Sequence, residues 1–237
     1  MNTFSDPLKP TPPMSAAGIW GVGDELAQHL RTVQFYERSA GTYVESTELA
    51  GVRSYLEAFA AAVLTGGDVL ELGSGSGRDS LWFAERGFEV HAIDACPAMV
   101  QATSARAVVR AELARIEEID AIERYDGIWS SAALLHVAAH RQAEVWARLY
   151  RALRPGGALY ASYKLGSGQR VADDGRYFFD LDMPRLLSLA EGVGFAEPRA
   201  QITVCATGRP TRWVSVLVSK GCRSGSAQSH QLEETRQ

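Results

Sequence analysis

The residues best equipped for chemistry fall in one stretch, VLELGSGSGRDS at 69–80. An apolar run leads straight into Gly73, Gly75 and Gly77, and a helical pattern opens near Asp79. Glycines at a strand-to-helix junction let the backbone turn sharply and let a ligand approach its amide groups. Glu71 interrupts the apolar run two residues before the loop, where an unpaired carboxylate is costly to bury. A cationic ligand group at the loop would offset that cost. Asp94 ends the next apolar run, 21 residues after Gly73. A carboxylate there can accept hydrogen bonds from both hydroxyls of a ribose. It can equally cap the helix whose start Pro97 marks.

Spacing narrows the ligand. The dinucleotide fingerprint needs a third glycine at position 78, which is Arg78, so the loop reads G-x-G-x-G instead. No Gly-Lys-Ser/Thr follows, which excludes a phosphate-binding P-loop. A second candidate group is His136, directly after SSAALL. At the carboxyl end of a strand it could act as a general base, and it could equally cap a helix or pack. His136 and His140 are spaced i, i+4, but a nearby third ligand is missing, so no metal is expected. His91 reads as a core histidine within a strand. Cys96, Cys205 and Cys222 are too few for a disulfide framework and lack zinc-site spacing, which suits reduced thiols.

The elements that must position these groups follow from the rest of the chain. Its 237 residues, 46% hydrophobic and 22% charged, suit one large α/β domain or two small ones. Apolar runs at 68–73, 88–94, within 125–135 and at 158–163 read as buried strands. Helical periods at 79–87, 97–107 and 141–153 alternate with them, and RPGG at 154–157 reads as a turn. That alternation implies parallel strands in a doubly wound sheet. A helix over 183–195, capped by Asp182, precedes strands at 201–207 and 212–220, too close to form anything but an antiparallel hairpin. The segment 164–180 reads as a long glycine- and charge-rich loop, either mobile or covering a substrate. A mobile leader is expected over 1–17, a single domain over 18–220 and a disordered tail over 221–237.

Charge and hydropathy exclude other classes. Lys and Arg total 24 against 28 Asp and Glu, a net charge of −4, so no basic excess points to nucleic acid. Arg106, Arg110 and Arg115 read as a solvated helix face. No apolar run approaches the ~20 residues that cross a bilayer. The opening MNTFSDPLKPTPPM lacks a secretory signal's apolar stretch, so a cytoplasmic protein without a membrane partner is expected. Nothing in the pattern sets an oligomeric state.

ELGSGSG, with Asp94 at the end of the next strand and RPGG before a later one, resembles the class I S-adenosylmethionine-dependent methyltransferases. The resemblance spans about residues 34–220, and GRDSLWFAERGFEVHAID resembles the tellurite-resistance-type and other small-molecule branches. It implies a Rossmann-like, mainly parallel seven-stranded sheet ending in an antiparallel hairpin, and S-adenosylmethionine as cofactor. Gly73, Ser74, Gly75 and Gly77 would then hold the methionine end, with Glu71 favouring its amino group and Asp94 holding the ribose. Ala95 and Met99 would flank the adenine. Its amino group would meet Arg115 or, preferably, Glu117, with Ile116 packing on the ring. Ser130 and Ser131, followed by Ala132, would lie beneath the methionine. Tyr36 and Tyr43 in FYERSAGTY would close a lid or else pack on a helix at 46–64. Tyr163, Lys164, Arg170 and Tyr177, with Phe178, would line the acceptor pocket.

The expected activity is methyl transfer to a small-molecule acceptor by in-line displacement, with His136 as the leading base. RNA or protein methylation, a nucleotide-dependent oxidoreductase and a non-catalytic cofactor-binding protein are the alternatives.

Overall fold

The computed structural model describes residues 22–47, 53–204 and 211–222. The expected leader at 1–17, the expected tail beyond residue 222 and Cys205 lie outside the described residues. Two helices, α1 (Val22–Thr47) and α2 (Arg53–Ala60), precede the sheet. Strand and helix then alternate through β1 (Asp68–Leu72), α3 (Arg78–Ala84), β2 (Glu89–Asp94), α4 (Pro97–Arg106) and β3 (Arg110–Leu113). After β4 (Tyr125–Ser130) come α5 (Gln142–Ala152) and β5 (Leu153–Lys164). A small hairpin of β6 (Gly168–Val171) and β7 (Tyr177–Asp180) leads into α6 (Met183–Gly192), β8 (Ala196–Val204) and β9 (Arg212–Ser219).

The main sheet has seven strands in the order β3-β2-β1-β4-β5-β9-β8. The first five run parallel, and β9 and β8 are antiparallel, as the closing hairpin required. Sequence order reverses between β1 and β4, and a ligand crevice opens at such a switch point, beyond the strands' carboxyl ends. The central strands β1, β4 and β5 are apolar on both sides because helices cover both faces. On one face α5 and α6 bury Val145, Trp146, Leu149 and Leu186. On the other, Phe59 of α2 and Phe83 of α3 meet Trp129, whose ring stacks on Tyr160 at 4.2 Å. Asp182 caps α6 as expected, its carboxylate accepting from the Arg185 amide at 2.9 Å.

Four local expectations change. The expected 46–64 helix stops short, since α2 ends at Ala60; residues 48–52 lie outside the described residues. RPGG is no free turn: it belongs to β5, where the pairing with β4 slips between Tyr125 and Gly127. Gly156 and Gly157 pair there with Lys220 in both directions, so sheet hydrogen bonds hold the irregular backbone. The 164–180 loop contains the β6–β7 hairpin, which buries Tyr177, Phe178 and Phe179 beneath its charged turn. Finally, the expected helix face of Arg106, Arg110 and Arg115 divides: Arg106 ends α4, whereas Arg110 opens β3, a short edge strand of mixed polarity.

Candidate active site

The glycine loop leaves β1 where the sheet order reverses. Gly77 sits at φ +71°, and a Cβ there would lie 2.7 Å from the Thr103 backbone. Only glycine brings α3 and α4 so close. The Thr103 hydroxyl in turn donates to Ser74 at 2.8 Å, which holds the loop's buried serine. A Cβ on Gly75 would lie 3.4 Å from the Tyr43 ring, so α1 crosses directly over the loop.

Asp94, at the end of β2, clasps both sides of this turn. One carboxylate oxygen accepts from the Gly75 amide at 3.0 Å and the other from the Cys96 amide at 2.9 Å. Burial pushes its pKa up, while the Gly75, Cys96 and Ala95 amides pull it back. Three amides on about four acceptor sites leave room for a further donor. Asp94 opens into a cavity of about 100 Å³, which Ala95, Met99, Ile116 and Glu117 also line.

Glu71 is buried, and its one described hydrogen bond comes from the Ser80 hydroxyl. Burial first, and the neighbouring Asp79 carboxylate second, push its pKa well above the ordinary carboxylate range. Asp79 is better served, accepting from Trp129 Nε1 at 2.9 Å and Arg78 Nε at 2.7 Å. Both acids line a second cavity of about 300 Å³. The two cavities meet along Tyr36, Tyr43, Gly73, Gly75, Ser131, Ala132 and His136.

His136 stands at this seam with both nitrogens engaged. Nδ1 lies 2.7 Å from the Tyr177 carbonyl, which only accepts, so Nδ1 carries the proton. Nε2 therefore accepts from the Tyr36 hydroxyl at 2.9 Å, and Arg176 approaches that hydroxyl at 3.4 Å. Burial lowers the His136 pKa to about 3. Across the cavity, burial and then the Arg170 and Arg176 charges lower Lys164 to about 8.

Helix α1 is tied over the site at several points. Glu37 accepts from Cys96 Sγ and from the Ala98 amide, both at 3.1 Å. The Thr32 hydroxyl accepts from the Tyr177 amide at 3.0 Å, and Arg78 donates to the Thr47 carbonyl at 2.7 Å. Tyr36 and Tyr43, two turns apart on one helix face, meet edge-on at 5.2 Å.

Residues 69–157, from β1 into β5, match a family described as a methyltransferase domain. This stretch is similar to a methyltransferase domain. Malonyl-[acyl-carrier protein] O-methyltransferase of Salmonella typhimurium is 42% identical over 94 residues. That match takes in 38% of this chain and only 36% of the relative's length. Among solved structures, 1,6-didemethyltoxoflavin-N1-methyltransferase of Burkholderia thailandensis, with bound 1,6-didemethyltoxoflavin and S-adenosylhomocysteine, has a TM-score of 0.70 at 23% identity. The superposition covers 89% of this chain and 93% of that one. Phosphoethanolamine N-methyltransferase 2 of Haemonchus contortus has a TM-score of 0.65 at 15% identity, over 80% of this chain and 60% of that one. These likenesses extend the shared fold beyond the matched domain, into the antiparallel end of the sheet. None of the three relatives bears a tellurite-resistance name.

Set on the methyltransferase fold, most expected site residues converge: Tyr36, Tyr43, Glu71, Gly73, Ser74, Gly75, Asp94, Ala95, Met99, Ile116, Glu117, Ser131, His136 and Lys164 all line one cavity or both. Gly77 stands behind them, packed on Thr103. Four depart. Tyr163 is fully buried on the opposite side of β5, its hydroxyl between Trp146 and Gln142, because alternate strand residues face opposite ways. Ser162 and Lys164 are the cavity-facing neighbours. Tyr177 turns its hydroxyl to the Ala139 amide and Gln169, and serves the site only through its backbone. Arg170 is exposed and paired with Asp180, while Arg176, on the same hairpin, reaches the cavity. Ser130 is buried, accepting from the Leu134 amide at 3.3 Å.

The sequence reading missed Arg176, and with it His29 and Thr32 of α1 and Trp213 and Ser215 of β9. For Trp213 and Ser215 the signal was present, since alternate residues of a strand share one face. His140 points elsewhere, toward Glu25 at 3.1 Å. Among the described residues no cluster of three metal-ligating side chains occurs. His91 is satisfied as expected, between the Tyr125 hydroxyl and Glu112.

Proposed function

We propose that this protein is an S-adenosylmethionine-dependent methyltransferase acting on a small-molecule acceptor. The observation that carries this reading is the pair of cavities meeting over one glycine loop, with Asp94 in the smaller and Glu71 in the larger. The donor set fits the cofactor. Asp94 keeps an acceptor site for a ribose hydroxyl, Ala95, Met99 and Ile116 offer an apolar slot for adenine, and Glu117 offers an acceptor for its amino group. Glu71 is a buried acid short of partners, which an amino acid's ammonium would supply.

When bound, the cofactor supplies an electrophilic methyl group: a lone pair of the acceptor forms the new bond while the carbon–sulfur pair returns to sulfur. The chain's own residues hold the two reactants in line and keep water out. Tyr36 and Tyr43 close the seam from above. His136 fits a positioning role better than the base role expected of it, because its Nε2 lone pair is taken by Tyr36 and its pKa is about 3. The larger cavity, about 300 Å³ and walled by α1 and both hairpins, suits a small molecule better than an RNA or a protein segment. No helix among the described residues is long and apolar enough to cross a membrane.

Calorimetric titration with S-adenosylmethionine, S-adenosylhomocysteine and NADH tests the reading. Both adenosyl ligands are expected to bind. Asp94→Ala should weaken them by about 1.5–3 kcal/mol, roughly 10- to 150-fold, for the loss of charge-assisted bonds. NADH binding alone would return the site to the oxidoreductases, and unchanged affinity in Asp94→Ala would remove the ribose role.

A further inference from the structure

The larger cavity differs in charge along its length. At the glycine loop Asp79 is paired with Arg78 beside the buried Glu71, and Lys164 and Arg176 make the end where β5 leaves the sheet cationic. Two acids near that cationic end are already engaged. Asp174 takes the Arg176 guanidinium at 2.6 Å, and Asp180 takes Arg170 at 2.6 Å. Arg170 and Arg176 each hold a carboxylate, Asp173 of the same turn is exposed to solvent, and Lys164 is left with none. Among the described residues Lys164 makes no ion pair; its ammonium sits 3.4 Å over the Phe178 ring. A cation over an aromatic face gains about 0.5–2 kcal/mol. Partial burial of an ammonium without a counter-ion costs more than that. The depressed basicity of Lys164 has the same origin.

The surroundings favour a ligand over a purely structural role. Lys164 lines the cavity wall beside the Ser162 hydroxyl, and Trp213, its partner across β5 and β9, lines it as well. A guanidinium, an ammonium and a hydroxyl thus border one space with no carboxylate of the cationic end among them.

Resting on the methyltransferase reading, we propose that the acceptor is a small oxyanion whose carboxylate or phosphate docks against Lys164 and Arg176. The anionic group then lies at the hairpin end of the cavity and the nucleophilic atom points toward the glycine loop. The charge at the hairpin end makes the pocket directional: a neutral acceptor would leave Lys164 unpaired and a cationic one would be repelled.

The test is a panel of small aromatic carboxylates and aryl phosphates, each paired with its neutral amide or dimethyl ester, plus matching benzylamines. Binding is read by ligand-observed NMR and calorimetry, on the free protein and on protein saturated with S-adenosylhomocysteine. Anions should bind at least about tenfold tighter than their neutral twins, and Lys164→Met should remove that preference. Comparing the carboxylate and phosphate arms identifies which oxyanion is preferred. Equal binding of neutral twins, preferred binding of amines, no binding by any anion, or anion binding unchanged in Lys164→Met would each overturn the proposal. S-Adenosylhomocysteine binding by Lys164→Met reports that the variant is folded. Absence of that binding in the native protein would sink the cofactor reading separately, because the anion arms are also run without it.

Discussion

At the scale of single residues, burial decides what each ionisable group can do. His136 is the clearest case. In the folded protein its pKa is about 3, against an ordinary 6.5 for an unfolded chain, because burial penalises the imidazolium and Arg176, Lys164 and His29 add like charge. The unfolded chain therefore binds a proton that the native one refuses, and stability falls as pH drops below about 6.5. Thermal midpoints measured from pH 7 to pH 5 should fall less steeply for His136→Gln than for the native protein. A base of this pKa is also unprotonated throughout that range, so methyl transfer should show no acid limb there that disappears in His136→Gln. Such a limb would restore the catalytic role read from the sequence. Glu71 behaves oppositely. Its pKa stands above the unfolded value, so it subtracts stability as pH rises past the ordinary carboxylate range. Glu71→Gln should melt higher than the native protein at pH 7 and bind the adenosyl ligands more weakly.

At the scale of elements, the parts that follow a simple period were legible and the parts that follow the site were not. The strand that leads into the glycine loop is apolar because both its faces are covered, and that pattern is visible in any window. Helix α1 inverts the usual rule. Gln28 and Thr32 are buried while Leu26 and Leu30 are about half exposed, because its inner face serves a polar site. Hydrophobic period therefore cannot find it. The β6–β7 hairpin hid for a related reason: glycines and charges mask a strand pair whose aromatic side chains fold under it. Close approach at the glycine loop is testable directly. Gly77→Ala places a methyl group against the Thr103 backbone in a left-handed conformation. A cost of about 1–3 kcal/mol is expected, or a fall of about 2–4 °C in Tm for each kcal/mol, together with weaker adenosyl binding. A variant that melts with the native protein would place α3 and α4 further apart.

At the scale of the whole molecule, the site is where remote segments close on one another. Arg176 approaches Tyr36 across 140 residues, and Arg78 reaches Thr47 beneath them. Ligand at the seam should stabilise all of them together. With S-adenosylhomocysteine at 100 times its dissociation constant, about 2.7 kcal/mol of added stability is expected. Hydrogen exchange in α1 should slow more than in α6, which lines neither cavity; equal protection would mean that α1 does not close over the ligand. The sequence by itself determined the parallel sheet and its antiparallel end, the glycine loop and the place of Asp94, because local periodicity and spacing express them. Tertiary structure alone decided that Tyr163 belongs to the core, that Arg176 and not Arg170 enters the cavity, and that His136 is locked to Tyr36. Those assignments depend on which surfaces meet across the fold, and a chain's spacing holds no record of its distant neighbours until it is packed.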